Sequence, residues 1–117
     1  LQWSADTVNS ITATSYALSK EIRIRLGGTV RIKFDLALNG TLDTAYGKVY
    51  INGVAAGTER TATDSTYTTY SEDFTVDPYD EVQLYGYTTN AGKACLQRNF
   101  RMYYTKAAAA DATVTLD

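Results

Sequence analysis

The stretch Lys20-Glu21-Ile22-Arg23-Ile24-Arg25-Leu26-Gly27-Gly28-Thr29-Val30-Arg31-Ile32-Lys33-Phe34-Asp35-Leu36 decides the fold class. Ile22, Ile24 and Leu26 alternate with Glu21, Arg23 and Arg25, and Val30, Ile32, Phe34 and Leu36 alternate with Arg31, Lys33 and Asp35. Strict alternation places the apolar side chains on one face and the charges on the other, which is the pattern of a half-buried strand. Joined by Gly27-Gly28 alone, the two strands would set Ile24 opposite Arg31 and mix the faces. A longer loop, Gly27-Gly28-Thr29, sets Ile24 opposite Ile32 and keeps the apolar residues together. The other course open to this segment is a crossing from one sheet to another.

The pattern extends in both directions. Thr44 to Ile51 and Val54 to Thr61 flank Asn52-Gly53, a dipeptide suited to a type I′ hairpin because both central residues need positive φ. That register sets Ile51 opposite Val54 and Val49 opposite Ala56. Further strands are expected over Thr66 to Val76, Glu81 to Thr88, Ala94 to Tyr104 and Thr113 to Leu116, with a weaker one in Thr7 to Ala13. Asp77-Pro78-Tyr79-Asp80 and Thr89-Asn90-Ala91-Gly92 supply turns. Lys106 to Ala110 is compatible with helix but short, and reads as a linker. The expectation is an all-β, antiparallel β-sandwich of about eight or nine strands, jelly-roll-like, with residues 1–117 forming one domain.

A chain of 117 residues, 44% of them hydrophobic and 21% charged, has the composition of a globular protein that needs no staple. Its one cysteine, Cys95, has no internal disulfide partner and reads as a small buried hydrophobe. Eleven basic residues against thirteen acidic ones argue against a nucleic-acid partner, which requires concentrated positive charge. No apolar run approaches the roughly 20 residues of a membrane span, so no membrane insertion is expected. The chain opens Leu1-Gln2-Trp3 without an initiator methionine, as a processed product or a part of something longer would.

The chain contains no histidine, which removes the commonest general base and the usual zinc ligand. Glu72-Asp73 and Asp80-Glu81 are adjacent carboxylates, but neighbours on a strand point to opposite faces and make no catalytic pair; they read as strand and turn charges. Asp77 and Asp80 lack the spaced acidic ligands of a calcium loop, and Gly27-Gly28 lacks the lysine and the following helix of a phosphate loop. No catalytic residue, metal site or cofactor is therefore assigned, and the chain reads as non-enzymatic.

Two charges break the alternation. Glu72 shares the parity of Tyr70 and Phe74, and Arg98 that of Leu96 and Phe100, so both would point inward. Either they point inward and are satisfied by each other or by nearby backbone groups, or bulges turn them outward. Ten tyrosines against three phenylalanines is the other anomaly. Tyr85, Tyr87 and Tyr103 fall opposite the core parity of Val82, Leu84, Phe100 and Met102, giving an amphipathic face suited to an interface or to stacking on sugars, or simply lying flat on an exposed sheet. Arg23, Arg25, Arg31 and Lys33 form a basic strip that reads as solvation and edge protection.

The runs Lys20 to Ile24, Gly28 to Leu36 and Ala45 to Arg60, continued by Tyr70 to Phe74, Asp80 to Tyr85 and Arg98 to Tyr104, resemble a β-sandwich domain of phage and prophage virion proteins. The likeness covers residues 16–104, leaving an N-terminal arm, 1–15, and a C-terminal segment, 105–117. One departure is the turn Pro78-Tyr79-Asp80-Glu81, where the family more often has a small residue, glycine and aspartate. The resemblance implies a structural virion component of head, tail or fibre. Its partners would be further copies of itself and other virion proteins, and its setting the virion or otherwise the extracellular space. On that reading Trp3, Tyr85, Tyr87 and Tyr103 are interface candidates, and Trp3 and Ala112 to Leu116 would lie on neighbouring subunits or add a strand to an exposed edge. Two other functions fit the same residues: a carbohydrate- or receptor-binding module that meets surface glycans, and a subunit of a cell-surface filament.

Overall fold

The computed structural model describes residues 7–104 and the backbone of residues 2–5. The strands are β1 (Gln2–Ala5), β2 (Asn9–Ile11), β3 (Ala17–Arg23), β4 (Gly28–Leu38), β5 (Ala45–Ile51), β6 (Val54–Ala55), β7 (Arg60–Ala62), β8 (Thr68–Val76), β9 (Glu81–Thr88) and β10 (Cys95–Tyr104). All pairings are antiparallel and form two sheets. Sheet A runs β1-β10-β4-β8 with β2 also on β10; sheet B runs β3-β9-β5-β6 with β7 also on β5. The chain changes sheet at every connection except β1 to β2 and the β5-β6-β7 run, as a jelly-roll-like sandwich requires. Among the described residues there is no helix.

The alternating residues do what their period demands. Val30, Ile32, Phe34, Leu36 and Leu38 of β4 are buried against Val82 and Leu84 of β9 and Val49 of β5 in one core. Each fully buried aliphatic or aromatic side chain contributes roughly 1.5–3 kcal/mol, so this single layer between the sheets supplies most of the stabilisation.

At Gly27-Gly28 the chain crosses between sheets and forms no hairpin. β3 pairs with β9 while β4 pairs with β10 and β8, and Ile24 exchanges backbone hydrogen bonds with Tyr79 and Asp80. Ile24 reaches the core from the opposite sheet to Ile32, so apolar faces meet across the sandwich and need no cross-strand register. The Asn52-Gly53 hairpin forms as expected, with φ of 52° and 79° and Ile51 opposite Val54. Beyond it, the expected strand Val54 to Thr61 breaks in two. Ala56 and Gly57 both donate to the Val49 carbonyl, and β7 resumes pairing at Gly47 opposite Arg60, two residues out of the hairpin register.

The N-terminal arm is part of the sandwich. β1 adds a strand to β10 of its own sheet, with Trp3 opposite Met102, so the arm has no need of a neighbouring subunit to satisfy its backbone. Lys106 to Ala110, Ala112 to Leu116 and the expected last strand lie outside the described residues.

Candidate functional site

The outer face of sheet B gathers five tyrosines. β5 buries Ala45, Gly47 and Val49 and therefore turns Tyr46, Lys48 and Tyr50 outward; β9 buries Leu84, Gly86 and Thr88 and turns out Tyr85 and Tyr87. Cross-strand register sets Tyr46 opposite Tyr87 and Lys48 opposite Tyr85. Tyr46 and Tyr87 stack with centroids 4.4 Å apart, and Tyr50 and Tyr85 at 3.9 Å. Tyr16, just before β3, lies edge-on to Tyr87 at 4.6 Å and near Tyr50 at 5.8 Å. Leu18 of β3, opposite Tyr85 and half exposed, extends the apolar surface.

Polar groups are interleaved with the rings. Tyr16 Oη donates to the Glu59 carboxylate at 2.6 Å, and the Lys48 ammonium sits 5.3 Å from the Tyr16 ring centroid. Burial first, and the Glu59 carboxylate second, push the Tyr16 hydroxyl well above its ordinary range; burial and Glu59 raise Tyr87 as well. These phenols stay protonated at neutral pH and remain hydrogen-bond donors. Gln83 is committed locally: its Nε2 donates to Glu21 and its Oε1 accepts from the Gly53 amide. The result is a half-buried aromatic surface of rings stacked in pairs on one another, with hydroxyl, ammonium and carboxylate groups along it that can bond the hydroxyls of a ligand.

Beneath this face the two sheets interlock. Gln97 of β10, fully buried, donates from Nε2 to the Tyr85 carbonyl at 3.1 Å. Gly86 and Gly47 leave room for that amide: a Cβ on Gly86 would lie 2.6 Å from Gln97 Nε2, and one on Gly47 3.1 Å from it.

Of the interface candidates, the structure brings Tyr85 and Tyr87 together and separates Tyr103, which stands on the outer face of sheet A beneath the Lys33 ammonium. The Trp3 side chain lies outside the described residues; its strand belongs to sheet A. Tyr16, Tyr46 and Tyr50 were not singled out. The parity of β5 shows Tyr46 and Tyr50 opposite Ala45, Gly47 and Val49, whereas Tyr16 lies outside any strand and carries no periodic signal.

The pairing of Glu72 with Arg98 is corrected. Glu72 does point between the sheets, where it accepts from the Thr58 amide at 3.0 Å and from Arg60 at 3.3 Å. Arg98 points the other way: an extra residue between Arg98 and Arg101, with Asn99 at φ 53°, reverses the parity of β10 and turns Arg98 onto the outer face with Asp35. The two charges occupy opposite faces of sheet A. The carboxylate doublets are likewise divided, Asp73 facing out to Arg31 while Asp80 caps Asp77 and accepts from Asn52. Among the described residues no three His, Cys, Asp or Glu side chains gather to hold a metal ion.

No family model and no curated protein matches the chain. Solved structures do match. The C-terminal domain of EclA, a sugar-binding protein, superimposes with a TM-score of 0.66 at 7% identity, covering 85% of this chain and 79% of that one. A family 35 carbohydrate-binding module from Clostridium thermocellum gives 0.58 at 9% identity, covering 90% and 99%. A family 36 carbohydrate-binding module in complex with calcium and xylotriose gives 0.55 at 15% identity, covering 90% and 99%. At these identities the likeness establishes the sandwich fold alone.

These neighbours overturn the virion resemblance. The expected roles in head decoration, tail or fibre, and in self-assembly with other virion proteins, are corrected with it. The physical reason is that the quoted segments are alternating strands and turns, which any antiparallel sandwich of this kind must contain, so they report architecture and not lineage.

Proposed function

We propose that this chain is a non-catalytic carbohydrate-binding domain, with residues 1–117 as one unit working outside the cell, that meets a glycan on the tyrosine face of sheet B. The observation that carries this reading is the row formed by Tyr16, Tyr46, Tyr50, Tyr85 and Tyr87. Five aromatic rings on the solvent side of a sheet exceed what the sandwich needs for its core, which lies on the other side. Lys48 and Glu59 stand beside the rings, where sugar hydroxyls would need partners. Support also comes from the fold neighbours, whose descriptions include sugar-binding, xylan-binding and a complex with xylotriose. Binding without turnover fits a chain that lacks histidine and whose carboxylate doublets are split between strand faces and turns. No metal enters this reading.

The test is titration of the purified chain with neutral oligosaccharides and insoluble polysaccharides, xylan and cellulose among them. Tyr46→Ala with Tyr87→Ala should weaken binding about tenfold or more, since each aromatic contact is worth roughly 0.5–1.5 kcal/mol. Retained affinity in a folded double variant would show that the sugar, if bound, lies elsewhere.

A further inference from the structure

The outer face of sheet A holds a second feature that the tyrosine site does not use. Its register forms a grid: Thr69, Asp35 and Arg98 in one row, Ser71, Lys33 and Arg101 in the next, then Asp73, Arg31 and Tyr103. Four cations share two carboxylates, a local excess of two positive charges in a chain of net charge −2. Arg31 takes both oxygens of Asp73, at 2.8 and 3.2 Å. Asp35, buried, is divided between Arg98 and Arg101 at 3.2 Å each and also accepts from Asn99 and Thr69. That leaves Lys33 directly opposite Arg101, with the Tyr103 ring at 5.5 Å as its contact and no carboxylate among the described residues. Like charges placed opposite each other on a sheet are mutually destabilising unless an anion lies between them.

We propose that this face is a second binding surface, for an acidic polysaccharide, with the carboxylate or sulfate of a sugar residue seated on Lys33 and Arg101. Two aromatic groups flank the cations: Tyr103 under Lys33, and Tyr67, whose ring centroid lies 3.7 Å from the Arg98 guanidinium. Anchored through Asp35 and Tyr67, Arg98 keeps the remaining N–H groups of its fork for a ligand, and Arg101 does the same after bonding Asp35 and the Asn99 carbonyl. Charge complementarity selects an anionic polymer. A net excess of two charges among the described residues of this face is small for a nucleic acid, whose binding rests on neutralising many phosphates. The inference concerns another surface and another ligand charge than the tyrosine face, and stands or falls apart from it.

The test is affinity electrophoresis and calorimetry of the full chain with polygalacturonate (carboxylate), heparin (sulfate), neutral xylan and duplex DNA, at low and physiological salt. The expected result is binding to at least one acidic polysaccharide that weakens with salt. K33Q should weaken it about two- to fivefold and K33E tenfold or more. Replacing Lys33 gives up one ring contact and removes its repulsion with Arg101, so both variants should stay folded with a urea midpoint at or above that of the wild type; R98Q serves as a second probe. The Y46A/Y87A variant should bind the polyanion as the wild type does. Unchanged polyanion affinity in K33E, no polyanion binding at low salt, or DNA bound at least as tightly as either polysaccharide would each overturn the proposal. Loss of neutral-sugar binding alone would count only against the tyrosine face.

Discussion

Gln97 on β10 and Gly86 on β9 form a knob and a slot across the two sheets: the Gln97 amide occupies the space where a Gly86 side chain would stand and bonds the Tyr85 carbonyl. The contact couples sheet A to the strand that displays Tyr85 and Tyr87. Gln97 is also the described residue whose buried Oε1 lacks a hydrogen-bond partner, so its retention places a polar group at some cost directly under the tyrosine face.

Gly86→Ala is therefore expected to destabilise the chain by about 1–3 kcal/mol, because the added Cβ meets Gln97 Nε2 at 2.6 Å and the Tyr46 carbonyl at 3.0 Å. Urea unfolding measures it. Combining Gly86→Ala with Gln97→Ala should recover part of the loss; an undiminished sum would show that the backbone contact dominates.

Gly53→Val tests the hairpin. Nothing lies within 4 Å of a Cβ at this position, so space is not limiting, but φ is 79°. A β-branched residue tolerates that region poorly, and a loss of roughly 1 kcal/mol or more is expected from backbone strain alone. An unchanged midpoint would show that the turn relaxes to another type.

Double-mutant cycles distinguish the two fates of Glu72. With Arg60, half-buried beside it, coupling should fall at about 0.2–1 kcal/mol, the range of partly exposed pairs. With Arg98, on the opposite face of sheet A, coupling should be indistinguishable from zero. A larger Arg98 term would restore the direct pair.

Acid stability should depend on Asp35. Burial on its own raises this carboxyl, but hydrogen bonds from Thr69, Asn99 and Arg98 and the charge of Arg101 outweigh it and hold the group below its ordinary value. A lowered folded-state value stabilises the fold above the unfolded carboxylate range, about pH 4, and that contribution is lost as pH falls through the folded value. Asp35→Asn should be less stable than wild type at pH 7 and lose less of its stability on acidification. Parallel pH profiles for the two proteins would refute it.

Cys95 should be silent in the native state. Burial pushes its thiol up to about 12, against hydrogen bonding with the Tyr46 and Tyr87 backbone, and the residue is fully enclosed. At pH 8 a thiol reagent is expected to react only as fast as the chain unfolds, and promptly in concentrated urea. Rapid labelling of the folded protein would mean that β10 opens locally.

The sequence by itself determined the all-β class, the inward sets of β4 and β9 and the Asn52-Gly53 turn, because side-chain alternation and positive φ are local properties. It also marked Tyr85 and Tyr87 as outward. Only the tertiary structure decided which outward residues share a face: Tyr46 and Tyr50 join Tyr85 and Tyr87 because β5 and β9 are neighbours in sheet B, while Tyr103, at the same kind of parity, stands on sheet A. The basic strip divided for the same reason, Arg23 staying on sheet B while Arg31 and Lys33 cross to sheet A at Gly27-Gly28. Arg98 changed face through one extra residue at Asn99, which shifts every later side chain of β10 by one place. Parity assigns a side of a strand, but bulges and sheet crossings, set by packing between distant segments, decide which side of the molecule that is.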